Sequence, residues 1–172
     1  MILGLDVSTS IIGVCIYDDT KEKIVKTDYI DLRKVGGLLH KAQAVETYIN
    51  NNLIDKNIDY IFIEEALMFF RRGGSTAKTM AVLQRFNGIV SWLCFKTLAI
   101  EPRYITPISA RSRCGIKVPR GKKAKEVVMQ HFIDNKEFPI EYTRYGNVQK
   151  YCYDIADAVV VAKAASKIML DS

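Results

Sequence analysis

Apolar residues open the chain in short runs and then shift to helical spacing. Ile2–Val7 and Ile11–Tyr17 are rich in Ile, Val and Leu and are separated by Ser8, Thr9 and Ser10, which predicts two strands joined by a tight turn. Lys23–Leu32 alternates loosely and predicts a third strand of the same meander. From Leu38 to Leu53 the pattern changes: Leu38, Leu39, Ala42, Val45, Tyr48, Ile49 and Leu53 fall on one helical face. Tyr60–Glu64 then reads as a short buried strand. Because it follows a helix, a crossover and parallel pairing are expected. Arg71, Arg72, Gly73 and Gly74 predict a loop, with Ser75 or Thr76 capping a helix that runs to about Thr97. Met80, Leu83, Phe86, Val90 and Leu93 lie on one side of it, and Gly88 inside it permits close packing against another helix. Arg103–Thr106 predicts a further strand, and Ala124–Ile133 and Lys150–Leu170 predict two helices. The order βββ-α-β-α-β-α-α specifies an α/β fold: a mixed five-stranded sheet, three antiparallel strands and then parallel ones, flanked by helices.

The 172 residues contain no repeat, low-complexity tract or Pro/Gly/Ser-rich linker, so a single domain over 1–172 is expected. The most apolar stretch, Gly88–Ile100, includes Lys96 and is too short to span a bilayer. The opening segment has no basic region and is interrupted by Asp6, unlike a signal peptide. A protein that is not secreted and uses no membrane is expected. Cys15, Cys94, Cys114 and Cys152 form no C-x-x-C pair, and His40 and His131 are the only histidines. That argues against a zinc site and for a reducing compartment. The net charge of +6 favours an acidic partner, most often nucleic acid.

Four acids then change the picture. Asp6 ends the first apolar run, and Glu64 and Glu65 close the run Tyr60-Ile61-Phe62-Ile63. An acid at a strand end is also an ordinary way to open a turn. Strand side chains alternate, so only one of Glu64 and Glu65 can share a face with Asp6. Asp154 and Asp157, three apart on the last helix, stack on one side of it. Val159, Val160 and Val161 mark that helix as packed, and Ala156 and Ala158 leave room for close approach. Buried acids that repel each other need a cation. Two strand-end acids and an Asp-x-x-Asp pair suit a site for two Mg²⁺ ions, about 3.5–4 Å apart in such sites, with Mn²⁺ as an alternative. One ion would present hydroxide to a phosphodiester and the other would stabilise the leaving oxygen.

The stretch from Arg103 to Lys125 holds eight cations (Arg103, Arg111, Arg113, Lys117, Arg120, Lys122, Lys123 and Lys125) and no acid. Gly115, Pro119 and Gly121 are expected to keep much of it irregular, with lysines and backbone N–H groups gripping phosphates. Arg71 and Arg72 extend this surface. Met68, Phe69 and Phe70 are either core or a wedge that stacks on an unpaired base.

These residues resemble the RuvC-type Holliday-junction resolvases of the ribonuclease H-like superfamily. Gly4-Leu5-Asp6-Val7-Ser8-Thr9-Ser10-Ile11-Ile12-Gly13 is similar to that family's first catalytic strand and hairpin, with Ser8 where the family usually has glycine. Ile63-Glu64-Glu65 matches its second acid and selects Glu64. Asp154-Ile155-Ala156-Asp157-Ala158 matches its late helix, where both aspartates are metal ligands. Gly121–Val128 matches a basic turn entering a helix, where Lys125 stands in the place of a lysine that assists at the scissile phosphate. The resemblance implies a ribonuclease H-like fold and a Mg²⁺-dependent endodeoxyribonuclease. It also implies a homodimer whose two sites nick symmetric strands of a four-way DNA junction, in the cytoplasm or another intracellular compartment that holds DNA. The alternatives are a related nuclease acting on other branched DNA or structured RNA, an actin-like sugar kinase, and a catalytically inert DNA-binding module. The kinase needs two such domains.

Overall fold

Strand pleating sorts the first half of the chain into two cores. The computed structural model describes residues 1–66 and 77–171. Strands β1 (Ile2–Asp6), β2 (Ile11–Asp18), β3 (Lys23–Asp31), β4 (Tyr60–Glu64) and β5 (Arg103–Ile105) form one sheet in the order β3-β2-β1-β4-β5. The first three strands pair antiparallel, and β4 and β5 join in parallel, as the meander-then-crossover pattern requires. Helices α1 (Leu38–Asn52) and α2 (Ala77–Leu98) cover one face. There Leu3, Leu5, Ile12, Val14, Ile16, Ile61 and Ile63 meet Val45, Ile49, Phe86 and Val90.

The alternate residues Ile2, Cys15, Tyr17 and Phe62 point to the opposite face, where α5 (Lys150–Leu170) lies across the sheet with α4 (Ala124–Asn135) against it. Glycines admit α5 this closely. A Cβ on Gly4 would stand 2.5 Å from the Ala158 carbonyl oxygen, and one on Gly13 would stand 1.9 Å from the Asp154 carbonyl oxygen. Ala158 and Ala162, both buried, complete the contact from the helix side.

One element departs from expectation. Residues 107–113, a part of the basic stretch for which the sequence pattern predicts no element, form helix α3 (Pro107–Arg113). Thr106 caps it by accepting from the Ser109 N–H (3.2 Å), and Pro107 sits at its first turn, where a missing N–H costs nothing. Gly88 also behaves differently: it is exposed, and among the described residues nothing outside its own helix lies within 4 Å of where its Cβ would be. All four cysteines are free, and three of them are buried. Among the described residues no helix is long and apolar enough to cross a membrane.

Candidate active site

Pleat parity places the two strand acids on one face. Ile2 and Gly4 face α5, so Asp6 does too. Phe62 faces α5, so Glu64 does and Glu65 does not. Parallel register pairs Leu5 with Ile63, which sets Asp6 beside Glu64 at the ends of neighbouring central strands. Helix α5 crosses above them. Gly13 is the cross-strand partner of Asp6 and touches the Asp154 backbone, so Asp154 and Asp157 are lowered onto the same spot.

The electrostatics report this convergence. Burial pushes the Asp6 carboxyl well above its ordinary range, and the neighbouring charges of Glu64, Asp157 and Asp154 push the same way against Lys125. Burial and Asp157 raise Glu64 to about 7, opposed by Lys125 and Arg111. Asp157 and Asp154 are also raised, mainly by burial. Lys125, from the first turn of α4, bridges the pair: its Nζ lies 3.3 Å from Asp154 Oδ1 and 3.4 Å from Asp157 Oδ2. The acids raise the Lys125 ammonium pKa despite its desolvation.

Asp18 provides an internal contrast. It is also buried, yet it accepts from the Thr20 and Lys21 N–H groups (3.1 and 3.0 Å), and its pKa is lowered, first by the Lys21 backbone bond. Asp18 is a satisfied turn residue. Asp6 accepts no hydrogen bond among the described residues, and its neighbours are other acids.

The donor set suits a hard divalent cation, being four carboxylates with no sulfur or imidazole among them. As they stand, no three acids among the described residues are close enough together to grip one ion. The Lys125 ammonium bridges two of the four, Asp154 and Asp157.

The remaining residues singled out in the sequence divide. Arg111, on α3, is near enough to bias Glu64 and Asp157. An open cleft of ≈ 970 Å³ beside the site is lined by Arg111, Lys117, Lys122, Lys123 and Lys125, with Ile108 and Val118. Lys117, Arg120 and Lys122 are exposed and make no ion pair among the described residues, whereas Lys123 pairs with Glu126 (3.2 Å). Arg113 turns away, pairing with Asp171 (2.9 Å) at the far end of α5. Phe69, Phe70, Arg71 and Arg72 lie outside the described residues.

Two groups escaped the sequence reading. Arg33, just past β3, is held by Asp31 (2.6 Å) and lowers the carboxyl of Asp154 from the other flank. Asn87, buried on α2, donates to the Glu64 carbonyl oxygen (3.3 Å) and ties that strand end to the helix behind it. A polar residue on the apolar side of α2, next to Phe86, was the available signal for Asn87.

No family model and no curated protein matches the sequence. Solved structures do. Thermus thermophilus RuvC in complex with Holliday junction substrate aligns with a TM-score of 0.68 at 13% identity, over 98% of this chain and 94% of that one. Another Thermus thermophilus RuvC structure gives 0.64 at 14% identity, over 99% and 96%. The yeast mitochondrial Holliday junction resolvase Ydc2 gives 0.61 at 17% identity, over 96% and 77%. The chain has the RuvC-type resolvase fold. A likeness of RuvC fold at such low identity is a likeness of architecture, and the acids are placed by this chain's own register and packing.

Proposed function

We propose that the protein is a structure-selective endonuclease that resolves four-way DNA junctions. The observation that carries this is the gathering of Asp6, Glu64, Asp154 and Asp157 at the ends of the central strands, beside a cleft lined with cations. The RuvC-type fold supports the junction as substrate, since one similar structure is RuvC in complex with Holliday junction substrate and another is a Holliday junction resolvase.

In this reading the four carboxylates hold two Mg²⁺ ions, or Mn²⁺ in their place. When bound, the ions supply an activated water and neutralise charge on the phosphate under attack. Glu64 and Asp6 bind from the strands, and Asp154 and Asp157 bind from α5. The ammonium of Lys125 leaves its carboxylates and takes a non-bridging oxygen of the scissile phosphate. Arg111, Lys117, Arg120, Lys122 and Lys123 hold flanking phosphates, and Phe69, Phe70, Arg71 and Arg72 join the DNA surface on sequence position alone.

A homodimer belongs to the same proposal. On α2, Ala81, Arg85, Gly88, Trp92 and Phe95 recur at spacings of four and three and are all exposed, Trp92 at 59%. Such a seam suits a second copy of the helix. A two-fold axis there would present two sites to a two-fold symmetric substrate.

The test is cleavage of a synthetic four-way junction against linear duplex, RNA–DNA hybrid and structured RNA, each with Mg²⁺ and with the Asp6→Asn variant as control. Paired symmetric nicks confined to the junction are expected. Cleavage that prefers structured RNA, or that survives Asp6→Asn, overturns the reading.

A further inference from the structure

Between α4 and α5 the chain makes a hairpin that the proposed active site has not yet used. Tyr142 and Val148 form an isolated antiparallel bridge, and the Gln149 N–H donates to the Glu141 carbonyl oxygen (2.8 Å). The turn is tightly specified. Thr143 N–H donates to the Asn147 carbonyl oxygen (2.7 Å) and Gly146 N–H to the Thr143 carbonyl oxygen (2.9 Å). The Thr143 hydroxyl oxygen accepts from the Tyr145 and Asn147 N–H groups (3.3 and 3.2 Å). Gly146 has φ 79°, which only glycine adopts freely. A turn held this firmly could expose any polar pair. It exposes Arg144 and Tyr145, with the guanidinium 4.6 Å from the ring centroid and hydrogen-bonded to the phenol oxygen. Tyr145 is 73% exposed.

The base of the hairpin is fixed to the site. Tyr151, on the first turn of α5, donates to Glu141 (2.5 Å) and stacks on Tyr29 of β3, with centroids 4.1 Å apart and planes 9° apart. Asp154 is one helical turn further along α5. Tyr29 is the cross-strand partner of Gly13, and Gly13 is the partner of Asp6. The clamp therefore stands two strands from Asp6, about 10 Å away. It is on the flank opposite Arg111, where Arg33 already biases Asp154. From Tyr142 to Lys150 the segment carries Arg144 and Lys150 and no acid. A strand gripped by the cations around Arg111 and Lys122 would cross the acids and leave over this hairpin.

We infer that the Tyr142–Val148 hairpin is a second nucleic-acid contact, in which the Tyr145 ring stacks on an unpaired nucleotide flanking the cut and Arg144 takes its phosphate. This rests on the nuclease reading above. An exposed ring on a rigid turn offers a stacking face at little entropic cost, and a guanidinium beside it offers paired donors to phosphate.

The test uses the Asp6→Asn protein, so that binding is measured without cleavage. The probes are a four-way junction with 2-aminopurine placed beside the cut, a single strand and a linear duplex, each followed by anisotropy and fluorescence. Adding Tyr145→Ala is expected to weaken junction and single-strand binding roughly tenfold, with little change on duplex. It should also restore 2-aminopurine emission. Tyr145→Phe, which keeps the ring, should bind as the parent does, and Arg144→Ala should reduce the salt dependence of binding. Melting curves should be unchanged in all three, since both residues sit at an exposed tip. Junction affinity and fluorescence unaffected by Tyr145→Ala overturn the hairpin contact and leave the nuclease reading standing, and so does an equal loss on duplex. Failure of the Asp6→Asn parent to bind any of the three probes overturns both.

Discussion

Asp6 and Asp18 are both buried aspartates at strand ends, and their surroundings separate them. Asp18 is charged and satisfied by backbone donors, whereas Asp6 is crowded by like charges. Crowding has a sign that can be measured. Glu64 is raised from its ordinary range to about 7, so the folded chain holds that proton more tightly than the unfolded chain does. Its favourable contribution is full below about pH 4.5 and is lost as pH rises through about 7. In chelator at pH 8, Glu64→Gln should therefore melt a few degrees above wild type, and the difference should vanish near pH 4.5. The same substitution should abolish cleavage and reduce the rise in Tm that Mg²⁺ gives the wild type. A variant that melts no higher at pH 8 would mean that Glu64 is not crowded. Lys125 behaves in the opposite way. As the cation between Asp154 and Asp157, it relieves the repulsion that Lys125→Met would restore. That variant should melt lower than wild type without metal at pH 8, and Mg²⁺ should stabilise it by a larger margin, read by thermal melts across an Mg²⁺ titration. Cleavage should fall with it.

Among the elements, α5 sets the geometry and two glycines set α5. Gly13→Ala would drive a methyl group into the Asp154 carbonyl oxygen, so the helix must lift at the end that carries the acids. The cost should be about 1–3 kcal/mol of stability, typical of overpacking, and the chain should still fold. Cleavage should drop by at least a hundredfold, because displacing a catalytic group by about 1 Å carries a penalty of that size. Circular dichroism and junction cleavage measured on the same preparation separate the two effects. Retained activity would show that the helix does not fix the acids. This level also shows how far sequence patterning reached. Runs, alternation and helical spacing identify nine of the observed elements and the sheet's mixed pairing, because most carry an apolar stripe. The choice of Glu64 over Glu65 follows from the same pleat once Phe62 is known to face α5. Helix α3 was hidden because its residues are dominated by the basic stretch, although Thr106-Pro107 is a cap and first-turn signal. The roles of Gly13, Arg33 and the Tyr29–Tyr151 clamp were not legible, since each depends on a partner far away in the chain. Periodicity specifies which face a residue takes, and the partner it meets there is decided by the fold.

At the scale of the whole molecule, the surface is divided by chemistry. The central strand ends with the acids are flanked by cations, and α2, behind the sheet, carries exposed aromatic rings. Trp92 and Phe95, at 59% and 46% exposure, have ring centroids 6.0 Å apart, and exposed Gly88 lies one helical turn before Trp92. A glycine here leaves room for another backbone, and no other helix among the described residues fills it. If two copies meet along this seam, Trp92→Glu places a carboxylate at each side of the two-fold axis, where it would be desolvated and repelled by its equivalent. Light scattering should then give about 19.5 kDa, the mass of one chain, where wild type gives twice that. The acids are untouched by this change, so each monomer should still nick. The consequence falls on coordination: the first nick would no longer be followed by its symmetric partner in the lifetime of one complex. Singly nicked junctions should accumulate early in the reaction and turn over only as protein concentration rises, as a nicking time course on a supercoiled cruciform plasmid would reveal. A monomeric wild type, or a Trp92→Glu dimer that still makes paired cuts, would move the interface off α2 and leave the chemistry of the four acids unaffected.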